Sequence, residues 1–175
     1  MVLSIYYGIL EHTLINAMNS VLETSKKLRK SKPSELQEIV ALANKTFDTF
    51  YRPFLGDYNV DWYVGSGELK REIVKHANDL HVLLINNEIK GFTIYFDDFI
   101  HIMMIDEDAH RLGMGSFLMT AVEEILFKNH TNIKLQSFVG NKIATSFYLK
   151  NGWTKGAVNN ARKDVAMMYF EKEKS

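Results

Sequence analysis

Residues 99–118, FIHIMMIDEDAHRLGMGSFL, constrain the fold of this chain more than any other stretch. Phe99–Ile105 is apolar apart from His101 and short enough for a buried strand. Asp106, Glu107 and Asp108 then turn the chain, and Gly113 and Gly115 follow one residue apart. From there Met114, Phe117, Leu118, Ala121, Val122, Ile125 and Leu126 recur at helical spacing. A strand feeding a helix through glycines implies layered α/β structure. The first N–H groups of such a helix lack intrahelical partners and carry partial positive charge, so the loop suits a phosphate. A tight strand-to-helix turn would need the same two glycines, so the loop alone does not decide the matter.

Composition narrows the class. The chain has 175 residues, 46% of them hydrophobic and 24% charged, as in one ordinary globular domain. Its 21 basic and 21 acidic side chains cancel, so no global field draws nucleic acid. The local cluster of Lys26, Lys27, Arg29, Lys30 and Lys32 reads as a solvated turn edge. The absence of cysteine excludes disulfides, thiolate metal sites and a cysteine nucleophile, and fits a cytoplasmic protein. The apolar run 1–10 is too short to span a bilayer and lacks the basic start of a secretory signal. His12, His76, His81 and His130 show no metal-ligand spacing, so no metal is expected.

Along the chain, Leu10, Leu14, Met18, Val21 and Leu22 predict an amphipathic helix within residues 10–28. Residues 1–26 are therefore expected as a helical extension that is a packing arm, a homodimer contact, or a segment ahead of a start at Met18. The domain proper is expected over 27–175. Ser34 with Gln37 suggests a capping box for a helix over 34–46. An aromatic, irregular stretch follows, with Phe47, Phe50, Tyr51, Phe54, Tyr58, Trp62 and Tyr63 chiefly as packing. Asp48, Asp57 and Asp61 among them are candidates to meet a cationic ligand. A helix over 68–77 leads into strands over 80–85, 89–96 and 99–105, joined by Asn86–Asn87 and Asp97–Asp98 turns. After the glycine helix come a strand over 132–139, a short helix capped by Asn141 and stopped at Gly152, and a final strand over 165–170.

The letters of the loop exclude its rivals. A dinucleotide fingerprint wants a third glycine where Leu118 stands, and a Walker loop wants lysine after Gly115 where Ser116 stands. No G-x-S-x-G elbow is present. The segment HRLGMGSFL, 110–118, resembles the Q/R-x-x-G-x-G/A signature of the GNAT superfamily of N-acetyltransferases, with His110 in place of Gln or Arg. Downstream, NKIATSFYLKNGW, 141–153, resembles that family's N-x-x-A-x-x-F-Y-x-x-x-G-F, with Trp153 for Phe.

The resemblance implies an α/β fold with a mixed, mostly antiparallel central sheet flanked by helices, and a splayed strand pair forming a coenzyme cleft. It implies acetyl-CoA as co-substrate, with Arg111, Leu112, Gly113, Met114, Gly115 and Ser116 at the pyrophosphate. Met103, Met104 and Ile105 would offer backbone groups to the pantetheine arm and acetyl carbonyl, and Asn141 would touch the pantetheine. Tyr148 matches the tyrosine that protonates the leaving thiolate. Arylalkylamine acetyltransferases of this family carry a histidine on the strand that holds His101.

The chemistry agrees with that cast. Without cysteine, direct attack of an amine on the thioester is favoured over an acyl-enzyme on sulfur. Its oxyanion needs N–H donors that a strand edge can give. Holding a lysine-like amine neutral at pH 7 costs roughly 4.6 kcal/mol, so a base is needed. His101, read as in phase with Met103 and Ile105, is the first candidate, with an ordinary pKa of about 6.5; Asp97 and Asp98 follow. The acceptor expected is a small-molecule amine or a protein amino group. A non-catalytic acyl-CoA-binding module and an interaction protein built on the N-terminal arm are the alternatives.

Overall fold

The computed structural model describes residues 25–160 and 165–174. The expected N-terminal helix falls outside these residues except at its end. There the chain is instead strand β1, Lys26–Lys30, which starts the sheet. Its exposed lysines keep that edge solvated, which discourages pairing with another chain. Arg29 holds Glu35 through Nη2–Oε1 at 2.6 Å.

Helix α1 is Leu36–Leu55, α2 Asp57–Gly65 and α3 Glu68–Lys75. The capping box expected at Ser34 and Gln37 is formed two residues earlier, at Lys32 and Glu35. The Glu35 carboxylate accepts the Lys32 N–H at 2.8 Å, because residues 33–35 are a tight 3-10 turn ahead of α1. The stretch expected to be irregular is helical. Pro53 sits inside the last turn of α1, where it forfeits one backbone bond without ending the helix before Gly56. Helix α2 has almost no amphipathic pattern; it is held by packing on α1, with Val60 buried between them.

Strands β2 (Leu80–Ile85), β3 (Glu88–Phe96) and β4 (Phe99–Ile105) form an antiparallel meander as the sequence predicts. Asn86 and Asn87 take φ of 52° and 69°, left-handed values that Asn tolerates in a hairpin turn. Helix α4 is Met114–Leu126, β5 Asn132–Phe138 and α5 Lys142–Lys150. Two strands then close the chain, β6 (Thr154–Asn159) and β7 (Met167–Glu173). Every residue of β6 is exposed, so it carries no alternating pattern, and it exists through pairing with β7.

The order across the open seven-stranded sheet is β1-β2-β3-β4-β5-β7-β6. Only β4 and β5 run parallel, so the sheet is mixed and mostly antiparallel, flanked by helices on both faces. One face packs under α1–α3 through Ile39, Phe47, Ile73, Phe92 and Met104. The other packs under α4 through Leu118, Val122, Ile133, Leu135 and Trp153. Each such aliphatic or aromatic side chain contributes roughly 1.5–3 kcal/mol on burial. Among the described residues no helix is long and apolar enough to cross a membrane.

Candidate active site

Strands β4 and β5 pair only at Phe99–Lys134 and Ile100–Leu135. Beyond that point they part, and a cleft of about 1150 Å³ opens between them. His101 marks the divergence. Ile94 pairs with Ile102 and Tyr95 with Ile100, so His101 is an extra residue, a bulge in β4. The Thr93 hydroxyl braces it, donating to the Ile102 carbonyl at 2.9 Å.

The bulge corrects the expected phase. Ile102 and Met104 pack with the α1–α3 core, whereas Met103 and Ile105 pack with the α4 core. His101 turns to the α1–α3 side, where it meets Glu72 of α3. A bulge re-aims a side chain in this way by adding one residue to a two-residue period.

At one end of the cleft stands the glycine loop. Gly113, at φ 77°, occupies a left-handed conformation that a side chain would strain. The first bond of α4 runs from Phe117 N–H to the Gly113 carbonyl at 3.0 Å. The N–H groups of Met114, Gly115 and Ser116 therefore head the helix at the cleft wall. Arg111, at φ 61°, also lines the cleft, but Leu112 does not and is 64% exposed.

His110, the odd letter of the first motif, has a local task. Its Nε2 lies 3.0 Å from the Ile105 carbonyl and its ring stacks on Phe50, tying the end of β4 to the loop. Lys45 of α1 bridges to Asp106 and Glu107, holding the same turn from the other side.

Helix α5 supplies the opposite wall. Asn141 accepts the Ala144 N–H at 3.0 Å through Oδ1, so its side-chain NH2 is left for a ligand. Tyr148 is half-buried beside Phe147, Phe170 and Trp153. Its hydroxyl makes no hydrogen bond among the described residues. Burial, and after it the Tyr51 phenol, push the Tyr148 pKa well above the usual phenol range. Burial likewise pushes Tyr51 up to about 12. Trp153, which stands in place of the motif's phenylalanine, donates its indole N–H to Glu123 of α4 at 2.8 Å.

The third wall comes from α3. Glu72 Oε1 lies 2.8 Å from His101 Nε2, 3.2 Å from His76 Nε2 and 3.4 Å from Lys75 Nζ. Burial pushes the His101 imidazole below its usual pKa, and the Glu72 hydrogen bond opposes that shift. Glu72, His76 and His101 bring one ligand atom each within 4.8 Å of one another, a spacing that could hold a metal ion. The Lys75 ammonium on the same carboxylate opposes a second cation there.

All the expected site residues except Leu112 thus line one cleft. The acidic trio of the aromatic stretch does not. Asp48, Asp57 and Asp61 all hold Arg52 at the outer surface, so their charge is already answered. Asp98 pairs with Lys134, and neither Asp97 nor Asp98 reaches the cleft. Phe47, Phe50, Tyr51 and Tyr63 do line it. Sequence reasoning missed Glu72. Its spacing to His76 puts both on one face of α3, but nothing local shows that this face meets β4.

An open mixed sheet whose parallel strand pair parts beside a glycine-headed helix defines the acetyltransferase-type α/β fold. Residues 37–153 match the family described as the Acetyltransferase (GNAT) family, and the chain belongs to that family. The solution structure of apo YjaB from Escherichia coli superposes with a TM-score of 0.69 at 18% identity, over 84% of this chain and 97% of that one. The PaiA N-acetyltransferase from Thermoplasma acidophilum, solved in complex with coenzyme A, gives 0.69 at 16% identity over 86% and 99%. Ard1 from Thermoplasma volcanium gives 0.64 at 18% identity over 85% and 97%. No curated protein matches the sequence.

Proposed function

We propose that the chain transfers the acetyl group of acetyl-CoA to a primary amine by direct attack in a ternary complex. The observation that carries this reading is the convergence of three parts on one cleft: the glycine-loop N–H groups, unpaired β4, and the Tyr148 hydroxyl. Backbone donors at Arg111 and from Gly113 to Ser116 suit the pyrophosphate at the head of α4, while Leu112 stands outside the cleft. The freed β4 backbone at Met103, Met104 and Ile105 suits the pantetheine and the acetyl carbonyl, with the Asn141 amide opposite.

The proton steps follow from the two side chains. An ammonium acceptor gives a proton to His101, and its nitrogen lone pair then attacks the thioester carbon while the carbonyl electrons move to oxygen. The oxyanion collapses, the C–S bond breaks, and Tyr148 protonates the leaving thiolate. The remaining nitrogen proton returns to the tyrosinate, and His101 loses its proton to solvent. Burial keeps the Tyr148 phenol protonated, so the donor form is present at neutral pH.

The acceptor is a small-molecule amine or a protein amino group. Incubating purified protein with acetyl-CoA and an amine panel should release free thiol. No release, together with no coenzyme binding by calorimetry, would overturn the proposal; binding without release would make the chain a coenzyme-binding module.

A further inference from the structure

His101 is an extra residue in a bulge, and nothing in the strand ladder fixes its ring. We propose that Glu72 is a positioning residue that fixes the tautomer and aim of His101, with His76 clamping Glu72 from the end of α3. The inference rests on reading His101 as the proton acceptor.

An ionised carboxylate only accepts hydrogen bonds. Burial works against ionisation of Glu72, but the His101 hydrogen bond and the His101 and Lys75 charges outweigh it and hold the carboxyl below its usual range. The 2.8 Å contact therefore places the His101 proton on Nε2 and leaves the lone pair on Nδ1, the atom that takes the acceptor's proton. When His101 becomes imidazolium, the same carboxylate faces the new charge at hydrogen-bond distance, which raises the basicity of the imidazole against its burial.

His76 supplies the second hold. Its ring stacks on Phe96 at 5.1 Å and 10°, and its Nε2 reaches the same oxygen of Glu72. The imidazoles of His76, at the end of α3, and of His101 on β4 thus flank one carboxylate oxygen, with the hydrogen bond coming from His101.

The position of Glu72 carries an electrostatic cost that its basic neighbours offset. It lies in the last turn of α3, where the helix dipole disfavours a negative charge, and it is partly desolvated. The charged and titratable groups acting on His101 are Glu72 and Lys75 of α3 and His76, which caps its end; its other neighbours, Phe96 and Phe99, are neutral.

The test uses E72Q, E72A and H101A in the full chain. Three quantities are read: kcat/KM from about pH 5.5 to about pH 9.5, coenzyme affinity by calorimetry, and the His101 imidazole pKa by NMR without substrate. E72A should lose about 10-fold to 100-fold in kcat/KM with coenzyme affinity unchanged, and E72Q less, because an amide still accepts from Nε2. Both should lower the His101 pKa and move the acid limb of the profile to lower pH. Unchanged kcat/KM and profile in E72A, with H101A inactive, would overturn the positioning role. An unshifted His101 pKa in E72A would overturn the pairing even if H101A stays active, an activity that by itself would sink only the reading of His101 as base. Activity lost on chelation and restored by zinc would make the cluster a metal site instead.

Discussion

Tyr148 stands in the cleft with its hydroxyl unpaired among the described residues, while the rest of its ring is packed by Phe147, Trp153 and Phe170. Tyr148→Phe keeps that packing and deletes only the hydroxyl, the proton donor of the proposed reaction. We expect kcat to fall about 100-fold or more with coenzyme affinity within about 2-fold, read by thiol release and calorimetry. The second prediction at this scale concerns the Arg29–Glu35 pair. The Arg29 hydrogen bond leads the effects that hold the Glu35 carboxyl at about 2, with burial opposing and the Lys32 N–H assisting. A carboxyl depressed on folding stabilises above its unfolded pKa of about 4.3 and loses that contribution as pH falls toward 2. Wild type should therefore exceed Glu35→Gln by about 1–2 kcal/mol at pH 7, allowing for screening, with the gap closing toward pH 2 in urea titrations.

The bulge in β4 is the device that matters among the elements. It adds one residue at the place where β4 leaves β5, and so turns His101 from the α4 side to the α3 side. Thr93, fully buried on β3, braces the bulge through the Ile102 carbonyl. Replacing Thr93 with Val keeps the shape and removes the hydroxyl. Stability should drop by about 1 kcal/mol, and kcat/KM should fall while coenzyme affinity holds, because the glycine loop is untouched. Gly91 lets β3 run close to the end of β4; a Cβ there would lie 2.8 Å from the Met104 carbonyl. Of the elements themselves, β2, β3 and β4 were legible as apolar runs bounded by turn residues, and α4 by its helical spacing. Helix α2 and strand β6 were not. The first has one buried residue and the second none, so only their neighbours make them regular.

Across the whole molecule, the sheet divides two cores, one under α1–α3 and one under α4, and the cleft draws its walls from both. A ligand that fills it ties the two halves together and binds the folded state only. Acetyl-CoA at about 100 times its Kd should then add about 2.7 kcal/mol to unfolding stability, read as a rise in Tm. Absence of any shift at saturating concentration would count against the coenzyme reading.

The sequence by itself determined the family and the parts of the cleft that its two short motifs encode. Glycine spacing, the Asn141 cap and the register of Tyr148 lie within short segments whose geometry is local. Only the tertiary structure decided the wall that α3 and the bulge of β4 build. The three aspartates that looked free along the chain converge on Arg52, while Glu72, 29 residues from His101 in sequence, arrives beside it. A bulge shifts a strand's phase without leaving a letter to mark it. Pairing between α3 and β4 depends on how the cores close, and no local pattern encodes that.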